Sequence, residues 1–207
     1  MNVVDRRQHW ESVYRNKAAD QVGWFQPRAT SSLRLIEGSC ANRDAHIIDV
    51  GGGASVLVDD LLDAGYRHLT VLDLADSALA ASPQRLGARA QSVQWIAGDI
   101  TRVELPEARY DVWHDRAVFH FLTDPADRAR YVQQVLKSLK PGGYVIVATF
   151  GPGGPLQCSG LDVMRYAPEA LHAEFGAPFQ LLRHETEVHQ TPAGKEQEFV
   201  FCYCRRV

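Results

Sequence analysis

The chain has 207 residues, 45% of them apolar and 23% charged, with a formal net charge of −3. That length supports one well-cored domain and is short for two, and the scattered Lys and Arg residues form no basic stripe of the kind that binds nucleic acid. A membrane span is excluded because no apolar run reaches roughly 18 residues, and a disulfide scaffold because Cys40, Cys158, Cys202 and Cys204 are few and irregularly spaced. The polar stretch from Met1 to Lys17 lacks the apolar centre of a secretory signal, so a reduced, cytoplasmic protein is expected, with neither nucleic acid nor membrane as partner.

Residues 6–17 set Trp10, Val13 and Tyr14 among charges at helical spacing, which predicts a short amphipathic helix. A second helix is expected over 29–38, closed by Gly38. Residues 45–50 read as a buried strand running into Gly51-Gly52-Gly53, followed by a helix over 56–64 ending at Gly65. A strand over 68–72 ends at Asp73, and 77–86 read as a helix that Pro83 should interrupt. Residues 93–96 form a third strand leading into Gly98-Asp99, and 110–114 a fourth, followed by the segment 119–122. A helix over 126–139 is stopped by Lys140-Pro141-Gly142-Gly143, and the apolar run 144–150 reads as a central parallel strand.

Strands alternating with helices predict an open parallel sheet with right-handed crossovers. The tail differs, with strand-like runs at 179–189 and 196–204 around the turn Thr191 to Gly194. Such a pattern predicts an antiparallel hairpin at one edge. Cys202 and Cys204 fall on one face of the last strand, but no matching second pair exists, so small apolar filling is expected there and no metal.

The segment Asp49-Val50-Gly51-Gly52-Gly53 lies where the first strand meets the next helix. Glycine there lets the backbone bend sharply and come close to a ligand. In open α/β sheets ligands lie at the carboxyl ends of the strands. Alone, the turn is weak evidence, since a tight strand–helix connection also accounts for it. Asp73, about 22 residues beyond Gly51, ends the second strand, where a carboxylate can accept both hydroxyls of a ribose. Asp99 follows the third, where an acidic side chain can meet the amine of an adenine. The dinucleotide pattern G-x-G-x-x-G is incomplete because Val56 takes its third glycine position, and no Gly-Lys-Ser/Thr of a P-loop follows. An NAD(P)-dependent oxidoreductase remains the rival with different chemistry.

From about Ile47 to Phe150 these motifs resemble the core of class I S-adenosylmethionine (SAM)-dependent methyltransferases. The resemblance implies a Rossmann-like α/β fold: a seven-stranded, mostly parallel sheet with helices on both faces and a C-terminal antiparallel hairpin. It implies one domain, with an N-terminal helical lid over 1–40, a SAM-binding core over 45–150, and an acceptor loop, helix and hairpin over 151–207. Asp49, Gly51 and Gly53 match the turn that contacts the methionine part of SAM. Asp73 matches the ribose ligand with Leu74 beside the adenine, and Asp99 and Ile100 match the adenine-binding pair. His114, Asp115 and Arg116 fall at the fourth strand end, beside the transferable methyl, and the resemblance implies that His114 and Arg116 bind the cofactor.

Trp10 and Tyr14, followed by Trp24-Phe25-Gln26, are similar to a leader in a subgroup of small methyltransferases. In that subgroup the leader closes over SAM, which implies a cofactor lid of Tyr14, Trp24 and Gln26; aromatic faces suit a sulfonium cation and keep water from it. SAM is already activated, so catalysis is mostly positioning and desolvation, and a base is needed only for an acceptor that arrives protonated. Asp115 and His120 are the candidate catalytic groups, although a histidine between Phe119 and Phe121 also reads as structural. The Gly/Pro-rich loop from Gly151 and the residues Arg165 and Tyr166 are candidates for holding the acceptor, or a plain linker into a helix over 168–175. The expected reaction is methyl transfer from SAM to a small thiol, amine, carboxylate or hydroxyl, leaving S-adenosylhomocysteine (SAH). A protein lysine acceptor and a non-catalytic SAM-binding protein are the alternatives.

Overall fold

The computed structural model describes residues 6–207; the part of the expected N-terminal lid before Arg6 lies outside them. Two helices come first, α1 (Arg6–Asn16) and α2 (Thr30–Ser39). The alternating core follows: β1 (His46–Val50), α3 (Leu57–Asp63), β2 (His68–Asp73), α4 (Asp76–Leu86), β3 (Val93–Ala97), β4 (Tyr110–Arg116), α5 (Pro125–Ser138) and β5 (Leu139–Phe150). A two-residue pair, β6 (Gln157–Cys158) and β7 (Leu161–Asp162), precedes α6 (Pro168–Phe175) and the hairpin β8 (Phe179–Gln190) and β9 (Glu196–Arg206).

Seven strands form one sheet in the order β3-β2-β1-β4-β5-β9-β8. The first five are mutually parallel, and β9 runs antiparallel to both β5 and β8. The architecture is the open parallel sheet with an edge hairpin that the strand–helix alternation and the tail predicted, in the Rossmann-like, seven-stranded form that the resemblance implied. Strand order reverses between β1 and β4, which opens a crevice at their carboxyl ends.

Period-2 alternation distributes each strand over two cores. Ile47, Val71, Val112, Ile146, Phe199 and Phe201 face one side, with α2, α3 and α4. Ile48, Leu72, Trp113, Val145, Val200 and Cys202 face the other, with α5 and α6. Asp124 caps α5 by accepting from Ala126 N, with Pro125 in its first turn.

Three expectations shift. Gly38 does not close the second helix, which runs on to Ser39; no atom stands within 4 Å of the Cβ it lacks, so nothing there requires a stop. Pro83 does not interrupt α4. A proline removes one hydrogen bond, and the buried face of Ala78, Leu79, Ser82 and Leu86 holds the helix across that loss. Residues 139–143 are not a free turn but the start of β5, with Tyr110 paired to Leu139 and a register shift before Val112. The two glycines bulge the strand instead of ending it, with Gly142 at φ +76.

Candidate functional site

Four neighbouring strand ends converge on one crevice because β3, β2, β1 and β4 are consecutive in the sheet. Gly51 N donates to Leu72 O at 2.7 Å and Gly98 N to Asp73 O at 2.9 Å, so each turn is tied to the next strand. Gly51 sits at φ +75, and a Cβ there would stand 2.0 Å from Val118 Cγ2. A Cβ on Gly53 would meet Ala78 Cβ at 2.7 Å and Asp73 Oδ2 at 2.8 Å. The glycines are therefore demanded by packing around the turn itself, before any ligand is considered.

The crevice holds two adjoining chambers. The larger spans about 780 Å³, part of it open to solvent, and is bordered by Asp73, Leu74, Gly98, Asp99 and Ile100 together with Trp10, Tyr14, Trp24, Phe121 and Cys158. The smaller, about 550 Å³, is bordered by Asp49, Gly51, Gly52, Ser55 and His114, with Ser32 and Gln26 from the leader side. Tyr14, Trp24, Gly51 and Arg116 border both.

Asp73 is buried, accepting from Gly53 N at 3.1 Å and Ala75 N at 3.0 Å. Burial pushes its carboxyl up to about 6 despite those bonds. Asp99 accepts from Thr101 N and Thr101 Oγ1 at 2.9 and 2.7 Å, which fixes its carboxylate at the chamber wall. Asp49 Oδ1 pairs with His114 Nδ1 at 2.7 Å, while His114 Nε2 meets Ser32 Oγ at 2.8 Å. Asp49 Oδ2 has no hydrogen-bond partner although it is buried.

An aromatic wall closes the crevice from the leader. Trp10 meets Trp24 at 5.6 Å, Phe121 at 5.0 Å and Tyr14 at 6.3 Å between ring centroids. Burial holds the Tyr14 hydroxyl well above its ordinary range, so it keeps its proton. The leader is docked on β8 by His189 Nε2 to Gly23 O at 2.8 Å and by Gln26 Nε2 to Glu187 Oε1 at 3.2 Å. Gln26 thus borders the smaller chamber while bonding away from it.

Four residues expected near the acceptor take other positions, and none of them borders either chamber. Asp115 is wholly buried, accepting from Val118 N, from Phe119 N and, at 2.6 Å, from the Tyr131 hydroxyl of α5. Burial pushes it up to about 6. His120 is buried with Nδ1 accepting from Phe150 N at 3.3 Å; burial, helped by the Arg116 charge, pushes it down to about 3. Arg165 braces its loop by donating to Pro152 O at 2.8 Å and Gly154 O at 3.2 Å. The Tyr166 hydroxyl donates to Glu174 Oε1 at 3.1 Å.

Cys158, in the loop segment 158–161 expected over the acceptor side, reaches the chamber wall at the end of β6, whereas residue types and spacing did not single out Phe121 or Val118 for the site. Trp10 carried one available signal: it precedes Tyr14 by one helical turn and shares its face. Among the described residues, no group of three or more His, Cys, Asp or Glu is arranged to hold a metal ion.

Residues 47–143 match a family model described as a methyltransferase domain. A ubiquinone/menaquinone biosynthesis C-methyltransferase from Roseobacter denitrificans is 29% identical over 132 residues, 62% of this chain and 46% of that protein. The eEF1A lysine and N-terminal methyltransferase of Bos taurus is 26% identical over 190 residues, 91% of this chain and 25% of that one. A malonyl-[acyl-carrier protein] O-methyltransferase from Halalkalibacterium halodurans is 33% identical over 111 residues, 51% and 39% of the respective chains. The chain thus spans less than half the length of these curated relatives.

Among solved structures, a SAM-dependent methyltransferase from Anabaena variabilis superposes with a TM-score of 0.75 at 16% identity, covering 100% of this chain and 96% of that one. The 1,6-didemethyltoxoflavin N1-methyltransferase of Burkholderia thailandensis, solved with SAH bound, gives 0.66 at 20% identity, covering 99% and 85%.

Proposed function

We propose that this chain transfers a methyl group from SAM to a small nucleophilic acceptor, a reading supported by the match of residues 47–143 to a methyltransferase-domain model and by the order of the seven-stranded sheet. The observation that carries this reading is the row of Gly51, Asp73 and Asp99 at three adjacent strand ends, all facing one chamber. Asp73, fixed by two backbone N–H groups, has acceptor capacity left for a ribose diol. Asp99 and Ile100, with Leu74, border the chamber where an adenine would lie. Asp49, Gly51 and His114 belong to the methionine end in this reading, whereas Gly53, packed against Ala78 and Asp73, borders neither chamber; the orphaned Asp49 Oδ2 suits an ammonium. Tyr14 and Trp24 stand at the junction, where aromatic faces suit a sulfonium.

When bound, SAM supplies an activated methyl group; the protein's own residues orient the reactants and exclude water. The relatives named above act on carbon, oxygen, or lysine and N-terminal amines, so a protein lysine is the second reading of the acceptor. A SAM-binding protein without activity is the third.

Calorimetry with SAM, SAH and NAD tests the cofactor. Micromolar-range binding of SAM and SAH without NAD is expected, and Asp73→Ala should weaken SAM by well over tenfold, because the ribose hydroxyls lose a buried acceptor. NAD binding without SAM affinity, or an Asp73→Ala variant that binds SAM normally, overturns the assignment.

A further inference from the structure

Arg116 is the one cation bordering both chambers among the described residues, and its side chain is only 9% exposed. Nη1 donates to Trp24 O at 3.1 Å, the guanidinium lies 4.2 Å over the Phe199 ring, and Glu187 Oε1 stands 3.6 Å from Nη2. That last separation is an ion pair beyond hydrogen-bond reach, and Glu187 already accepts from Gln26 and borders neither chamber. Nε is therefore buried without a hydrogen-bond acceptor, and Nη2 has only the Glu187 carboxylate, just outside hydrogen-bond range. A buried guanidinium with unfilled donors is an uncommon and costly arrangement, and a ligand oxyanion is the group that matches its fork.

The carboxylates around the crevice are otherwise engaged in the reading above: Asp73 and Asp99 with adenosine, Asp49 with His114 and the ammonium end. Among the described residues, none remains at the junction to receive a cationic amine, and no free base stands there. Tyr14 keeps its proton, burial pushes the Cys158 thiol up to about 11, and Asp115 and His120 face elsewhere. An acceptor that arrives already deprotonated needs no base.

We propose that the methyl acceptor is a small anion, a carboxylate or thiolate on an apolar body, held at its charged group by the Arg116 fork in the chamber that Trp24 and Phe121 also border. This rests on the reading of the chain as a SAM-dependent methyltransferase. In the step, an acceptor oxygen or sulfur bonds to the methyl carbon as the carbon–sulfonium bond breaks. Its electron pair returns to sulfur, two opposite charges become two neutral products, and no proton leaves. Such charge annihilation is favoured where water is excluded.

The test titrates the SAH-loaded protein with benzoate, its neutral isostere benzamide, and benzylammonium, by calorimetry. Benzoate should bind at least tenfold more tightly than benzamide, and benzylammonium least. Arg116→Gln should remove the benzoate preference while changing SAH affinity less than about threefold, and Arg116→Lys should restore part of it. Equal binding of the three probes, a preference for benzylammonium, or no binding overturns the proposal. So does a tenfold loss of SAH affinity in Arg116→Gln, which would give the guanidinium to the cofactor. The wild-type comparison stands even if a variant fails to fold. Failure of SAM and SAH to bind wild-type protein would instead remove the underlying reading.

Discussion

At the residue scale, two buried carboxylates with the same displaced acidity, each about 6, do different things. Asp73 borders the chamber, whereas Asp115 spends its bonds on Val118 N, Phe119 N and Tyr131, and so sets the turn that carries Ala117 at φ +73 against the chamber wall. Because its folded value lies above the ordinary 3.8, folding retains a proton that the unfolded chain releases. That contribution to stability is present below about pH 4 and is lost as pH rises through about 6. Relative to Asp115→Asn, wild-type stability from urea unfolding should decline between pH 4 and 7 and level off above; parallel curves would show that Asp115 does not titrate in this range. Asp73 was legible because a strand end followed by a helix exposes its terminal side chain to the crevice. The bonding of Asp115 and His120 was not, because Tyr131 and Phe150 N reach them from elements far along the chain.

At the element scale, no residue of α1 is buried as a whole, although the Tyr14 hydroxyl end is, and the helix is tied down by polar contacts. Arg6 pairs with Asp127 at 2.5 Å, and Glu11 accepts from Asp76 N at 2.6 Å. Burial gives it little to hold, so its aromatic face contributes mainly to closing the chamber. Trp10→Ala should weaken SAM binding roughly five- to twentyfold, the scale of one or two lost aromatic contacts, while moving Tm by no more than about 3 °C. A large Tm drop with unchanged SAM affinity would make the helix a core element instead. Helix and strand identities followed from hydrophobic period, but ends did not: Gly38, Pro83 and the 139–143 segment each yield to what packs beside them.

At the scale of the molecule, the antiparallel hairpin is part of the site as well as the sheet edge. Phe199, 0% exposed, packs on Phe150 at 4.9 Å and lies beneath the Arg116 guanidinium. Phe199→Ala should cost about 3–5 kcal/mol of stability in urea unfolding. A cost under about 1 kcal/mol would mean that the hairpin is loosely docked. The sequence alone determined the parallel core, the added hairpin and the glycine and carboxylate positions at successive strand ends, because these depend on local period and chain order. Only the tertiary structure decided which strand-end side chains face the crevice. It alone set Arg116 against Phe199 with donors unfilled, since that arrangement is made by residues more than eighty positions apart, brought together by sheet order.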